Sequence, residues 1–184
     1  MKQTLKNIDV KNKKVIVRVD YNVPLNEKFE VADDERIQRT IPTIKYLLEN
    51  EASIILISHL GRPKGKYMSK MSLFPVVKHL SDLLNINVKF LKNDCFSEET
   101  HKGVAGLKKR EICLLENLRF RPEEDGKNLA GIKDEIAMNK FAKKMASMGD
   151  IFVQDAFGIL HRRQASTIGI VKYVNEVCIG FLVE

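Results

Sequence analysis

Short β-branched runs alternate with longer stretches of helical spacing along this chain. Val15-Ile-Val-Arg-Val19 predicts a first strand, closed by the polar turn Asp20-Tyr21-Asn22. From Asp34 to Glu49, Ile37, Ile41, Ile44 and Leu48 are spaced by 4, 3 and 4, the period of a helix. Pro42 inside that stretch predicts either a kink or the start of a second helix. Ser53-Ile-Ile-Leu-Ile-Ser58 is apolar between polar ends and predicts a strand buried on both faces. Ser72 is placed to cap a helix through Leu84, with Val76, Val77, Leu80 and Leu84 inward. A strand over Asn87–Leu91, a weak helix over Glu98–Lys109 broken by Gly103 and Gly106, and a strand over Ile112–Glu116 follow. Asp134–Met148 predicts a strong helix with Ala137, Phe141, Met145 and Met148 on one face, and Ile151–Gln154 a fifth strand. Residues 168–184 are apolar without a clean period, and no element is assigned there.

Strand–helix repetition of this kind predicts an α/β fold with a mostly parallel central sheet and helices on both faces. A length of 184 residues fits one domain with one sizeable core. No internal repeat or linker interrupts it, and the apolar run Cys178–Val183 just before Glu184 suggests a sequence cut within an element. Cys95, Cys113 and Cys178 are odd in number and form no CxxC pair, so they read as small buried hydrophobes in a reducing compartment. The basic start, Met1 to Lys14, is followed by no signal-like apolar core, and no apolar run approaches the roughly 20 residues of a membrane span. The expectation is a cytoplasmic protein without membrane contact.

Charge sharpens the picture. Thirty-one basic and 24 acidic residues leave +7, which implies an anionic partner: nucleic acid, a membrane surface or a phosphorylated small molecule. In open parallel sheets, ligands bind beyond the carboxyl ends of the strands. Five of the nine arginines (62, 119, 121, 162 and 163) fall in those post-strand loops, whereas the 22 lysines spread over helix faces and the N-terminus. Guanidinium forks bind phosphate bidentately, and arginines converging from separate loops make a concave anion site. A nucleic-acid surface would interleave aromatics, which are only 7% here with no Trp. A small phosphorylated ligand is therefore favoured. The loop Gly61-Arg-Pro-Lys-Gly65-Lys66-Tyr67 is not a nucleotide-phosphate loop: three residues separate its glycines instead of four, and Tyr67 stands where Ser or Thr would hold magnesium.

Several ordered segments carry a resemblance. Arg18-Val-Asp-Tyr-Asn-Val-Pro-Leu25, Asp34-Glu-Arg-Ile37 with Pro42-Thr43-Ile44, and Ser58-His-Leu-Gly-Arg-Pro-Lys-Gly65 come first. Leu115-Glu-Asn-Leu-Arg-Phe120 with Pro122-Glu-Glu124, Asp155-Ala-Phe-Gly158, His161-Arg162 and Gly180-Phe-Leu-Val-Glu184 complete the set. Together they resemble the N-terminal domain of phosphoglycerate kinases. The resemblance implies a three-layer Rossmann-like domain, residues 1–184 forming one substrate-binding lobe that ends at the inter-lobe hinge. It implies reversible phosphoryl transfer between ATP and 3-phosphoglycerate, giving 1,3-bisphosphoglycerate and ADP, in glycolysis. Magnesium-ATP or magnesium-ADP would belong to the C-terminal lobe, with no nucleotide or metal ligand in this chain. The enzyme would be a monomer, and the isolated lobe would not turn over.

By the same resemblance, Arg62, Arg119 and Arg162 with His59 hold the 3-phosphate, and Asp20 and Asn22 contact the hydroxyl and carboxylate end. Arg36 corresponds to the catalytic arginine, which orients the carboxylate and stabilises the transferring phosphoryl group. Tyr21, Gln154, Ile159-Leu160 and Gln164 stand where the family usually has Phe, Asn, Thr-Ala and His. Arg18, alternating within a strand, reads as structural or as a support behind the ligand-contacting residues. His161 reads equally as a ligand contact or a loop brace, Arg121 and Arg163 as contributors to the anion field, and His79 and His101 as surface or packing residues. A stand-alone anion-binding module without catalysis is the competing reading, and a nucleic-acid binder the third.

Overall fold

A computed structural model describes residues 3–184. Six strands form one sheet: β1 (Lys14–Arg18), β2 (Ser53–Ile57), β3 (Val88–Leu91), β4 (Ile112–Leu115), β5 (Ile151–Gln154) and β6 (Glu176–Ile179). The order across the sheet is β3-β4-β2-β1-β5-β6, and every pairing is parallel.

The apolar runs form central strands because both faces of the sheet are covered. Val15, Val17, Ile54, Leu56, Ile112, Leu114, Ile151 and Val153 face one core, with Ile37, Ile44, Leu47, Val76 and Leu80 from the helices α1 (Glu35–Gln38), α2 (Ile41–Glu49) and α3 (Phe74–Leu84). Alternate residues Ile16, Ile55, Ile57, Cys113, Leu115 and Phe152 face the other core, with Val104, Phe141, Ala142 and Met145 from α4 (Glu98–Ala105) and α5 (Glu135–Ala146). The three-layer arrangement expected from the alternation is the one observed.

Local differences have local causes. The stretch 34–49 is two helices, because Pro42 has no N–H to give the Gln38 carbonyl and instead sits in the first turn of α2, where no donor is needed. Ser72 lies outside α3, whose N-cap position is Leu73; its hydroxyl accepts from Phe74 N–H at 3.2 Å but donates to Glu116 Oε2 at 2.7 Å. Leu84 is only partly buried. α4 ends at Ala105 instead of Lys109, since Gly106 follows it as C-cap. Asp134 caps α5 by accepting from Ala137 N–H at 2.8 Å. The unassigned tail contains the edge strand β6 after two irregular helical turns; only Cys178 of the strand is buried, so no two-residue pattern marks it.

The chain leaves β1 and β2 toward α1–α3 on one face, and leaves β4 and β5 toward the α5 face. These four strands are adjacent in the order β4-β2-β1-β5. Their outgoing loops therefore splay apart, opening a crevice along the carboxyl edge of the sheet.

Candidate functional site

The loop after β1 supplies Asp20 and Asn22. Asp20 is buried, and its Oδ2 accepts from Arg36 Nη1 at 2.6 Å while Oδ1 is enclosed with no partner. Gly158, from the loop after β5, leaves no room for a Cβ, which would stand 2.8 Å from Asp20 Oδ2. Arg36 is half exposed at the crevice side of α1. Asn22 Oδ1 accepts from Gly61 N–H at 2.8 Å, tying the first loop to the second. Tyr21 uses the hydroxyl a Phe would lack: it bonds Thr40 Oγ1 at 2.9 Å, and burial raises the phenol pKa.

The loop after β2 supplies His59 and Arg62. His59 is buried, with Nδ1 3.1 Å from Nη2 of Arg18. Burial, then the charges of Arg18, Arg119, Arg162 and Arg36, lower its pKa to about 2, so the ring is neutral. Gly61 turns the chain with a φ of +63°, a left-handed conformation suited to glycine. Arg62 beyond it is exposed and makes no ion pair or hydrogen bond among the described residues.

Asn117 organises the loop after β4. Its amide donates to the Leu60 carbonyl at 2.7 Å and the Met71 carbonyl at 2.9 Å, and its Oδ1 accepts from Arg119 N–H at 3.1 Å. Arg119 is nearly buried; Nη1 donates to the Gly61 carbonyl at 2.9 Å and Nε lies 3.6 Å from Asp125 Oδ1. Burial, ahead of neighbouring charges, lowers its pKa. Arg162, from the loop after β5, is half-buried with Nε unpartnered, and Thr167 Oγ donates to its carbonyl at 2.7 Å.

Arg62, Arg119 and Arg162, with Lys64, Lys66 and Lys127, line one open cleft of about 720 Å³ whose single lining carboxylate is Asp125. Asp20, Asn22 and His59 lie in the adjoining loops of the same edge and Arg36 on α1, joined by the Arg36–Asp20 and Gly61–Asn22 hydrogen bonds. Of the seven predicted residues, Arg62, Arg119 and Arg162 line the cleft itself, and Asp20, Asn22, Arg36 and His59 stand beside it. Arg121 does not add free charge, because Asp94 at 3.3 Å and Glu123 at 3.1 Å pair with it. Arg163 lines a different cavity, with Glu135 and Met138. His161 is exposed and makes no hydrogen bond among the described residues, which leaves the bracing role unsupported. His79 pairs with Asp34 at 2.7 Å, and His101 stacks on Phe96. Asp155 turns away from the cleft: its Oδ1 accepts from Leu182 N–H at 3.0 Å, and burial raises its pKa to about 6.

Sequence reading missed the supporting acids. Glu124 is fully buried beside Arg18, and Asp125 faces Arg119 while accepting from Gln164 Nε2 at 2.5 Å. Arg18, buried at the end of an otherwise apolar strand, is the signal for a buried counter-charge.

Among the described residues, no three His, Cys, Asp or Glu side chains converge as a metal site. Asp20 and Asp125 each face an arginine.

Residues 5–184 match the family model described as "Phosphoglycerate kinase". The phosphoglycerate kinase of Chlorobium limicola is 44% identical over 183 residues, covering 100% of this chain and 43% of that protein. The cytosolic phosphoglycerate kinase of Nicotiana tabacum is 48% identical over 181 residues, 98% of this chain and 42% of its own length. The solved phosphoglycerate kinase structure from Coxiella burnetii superposes with a TM-score of 0.83 at 35% identity, covering 100% of this chain and 42% of that one. The chain therefore spans less than half the length of the relatives it matches.

Proposed function

The chain belongs to the phosphoglycerate kinase family, and from that premise we propose that its cleft binds 3-phosphoglycerate or 1,3-bisphosphoglycerate as the acceptor half of a kinase. The observation that carries this reading is a charge imbalance. Arginines from three separate loops meet in one cleft with one carboxylate between them. A cleft so unbalanced favours an anion held in bidentate contacts. Arg62, Arg119 and Arg162 with His59 take the 3-phosphate; Asp20 and Asn22 take the hydroxyl and carboxylate end.

Arg36 is the catalytic residue in this reading. Half exposed, with its Nη1 held at Asp20, it keeps its other N–H donors for the carboxylate and the transferring phosphoryl group. In-line phosphoryl transfer asks the protein for positioning and charge stabilisation, which guanidinium groups supply. Magnesium-ATP or magnesium-ADP is assigned to a second, C-terminal lobe, so residues 1–184 are a single substrate domain without turnover of their own. The enzyme is placed in glycolysis, as a cytoplasmic monomer. Among the described residues no helix is long and apolar enough to cross a membrane.

Calorimetric titration of the 184-residue chain with 3-phosphoglycerate tests the reading, with Arg119→Ala and Arg162→Ala as controls. Saturable binding weakened in both variants is expected. Binding of generic DNA in place of 3-phosphoglycerate, steeply salt-dependent, would favour a nucleic-acid surface. ATP-dependent turnover by this chain alone would refute the division of labour between lobes.

A further inference from the structure

Beneath the cleft lies a charged network that touches no ligand. Arg18 stands within β1 on the face of Ile16, toward α5, and is fully buried. Its Nε donates to Ser166 Oγ at 2.8 Å, and Nη1 donates to the carbonyls of Val19 at 2.5 Å and Ile57 at 3.4 Å. Nη2 faces His59 Nδ1 at 3.1 Å and Glu124 Oε1 at 3.8 Å. Ser166 in turn holds Glu124: its hydroxyl donates to Oε1 and its N–H to Oε2 at 3.0 Å. The guanidinium plane is therefore fixed on four sides.

A guanidinium carries five N–H donors and no acceptor. The imidazole nitrogen facing it can only accept, so the single proton of the neutral ring sits on Nε2. Protonation at Nδ1 would set a second cation against Arg18, and burial among Arg119, Arg162 and Arg36 opposes it further. Nε2 has no hydrogen-bond partner among the described residues, and it is not among the fully enclosed, unpartnered polar atoms. It therefore keeps some contact with solvent beside the cleft.

We infer that Arg18 is a positioning residue that fixes His59 as its Nε2–H tautomer, presenting an uncharged hydrogen-bond donor to the anion in the cleft. This rests on the phosphoglycerate reading of that cleft. Arginines attract any anion, whereas one immobile neutral donor adds direction without adding to the repulsion among four cations. Ser166 and Glu124 keep that direction by holding the guanidinium from behind.

Long-range proton–nitrogen NMR of the imidazole-labelled chain at neutral pH reads the tautomer directly. Protonated Nε2 and bare Nδ1 are expected without ligand. Arg18→Leu combined with Glu124→Gln removes the donor together with its buried counter-charge, and the single tautomer should give way to a mixture. With 3-phosphoglycerate as probe, His59→Gln places an amide N–H near the Nε2 position, whereas His59→Asn places one near Nδ1. The Gln variant should bind about tenfold more tightly or better, the worth of one hydrogen bond.

A protonated Nδ1 in the unaltered chain, an unchanged tautomer in the folded double variant, or equal affinities of the Gln and Asn variants would each overturn the assignment. Should the double variant fail to fold, the unaltered spectrum and the Gln/Asn pair decide. Absence of 3-phosphoglycerate binding by the unaltered chain sinks the phosphoglycerate reading instead, and the spectra then decide the role of Arg18.

Discussion

Two sets of arginines share this sheet edge and differ in one respect. Arg18 is buried and fully partnered, with Glu124 and Ser166 behind it and His59 in front. Arg62 and Arg162 reach the open cleft without an ion-pair partner among the described residues, and Arg119 between them has only Asp125 at 3.6 Å. Buried charge must be compensated within the fold, or burial alone would expel it. Charge left uncompensated at the rim is available to a ligand. The inner set fixes geometry and the outer set supplies affinity.

Breaking the inner set should cost the fold most. Arg18→Leu alone leaves Glu124 buried without its cation and is expected to lose about 3–5 kcal/mol in urea unfolding. Adding Glu124→Gln should restore a large part of that loss. Equal stability of the single and double variants would mean that the pair is not compensating.

Removing an outer arginine should spare the fold and cost binding. Arg162→Ala and Arg62→Ala are each expected to weaken 3-phosphoglycerate binding by about 1.5–3 kcal/mol, the range of a hydrogen bond to a charged group. Arg62→Ala should leave unfolding free energy within about 0.5 kcal/mol of the unaltered chain. A rim variant that unfolds before it loses ligand would merge the two sets.

Acid sharpens the comparison at His59. The ring titrates near 6.5 when unfolded and near 2 in the fold, so folding is favoured above 6.5 and that advantage is lost as pH falls. Relative to His59→Gln, the unaltered chain should lose about 1.4 kcal/mol per pH unit below 6.5, roughly 2 kcal/mol by pH 5. A flat difference between the two from pH 7 to 5 would place His59 outside the cationic ring. Arg121→Ala is the smallest expected effect: already neutralised by Asp94 and Glu123, it should change 3-phosphoglycerate affinity less than twofold.

The central strands were legible because parallel strands covered on both faces are written as apolar runs, as in Ile54–Ile57. The edge strand β6 was not, since only Cys178 is buried in it. The arginines after strands pointed to the crevice because the chain's topology carries every outgoing loop of β4, β2, β1 and β5 there. What escaped was long-range pairing. Glu124 reaches Ser166 across 42 positions, and Arg121 meets Asp94 across 27, separations for which the residues themselves carry no period. Arg18 reads from the sequence as a structural or supporting residue, yet its partner can be named only once the loops are folded.

The most direct test of the outer set compares 3-phosphoglycerate with glycerate, titrated into this chain and into Arg62→Ala/Arg162→Ala. The two ligands differ only in the phosphate that the rim arginines are assigned to hold. The unaltered chain should prefer 3-phosphoglycerate by about a hundredfold or more, and the double variant should lose most of that preference while remaining folded. Equal affinity for the two ligands, or a preference that survives both substitutions, would contradict it.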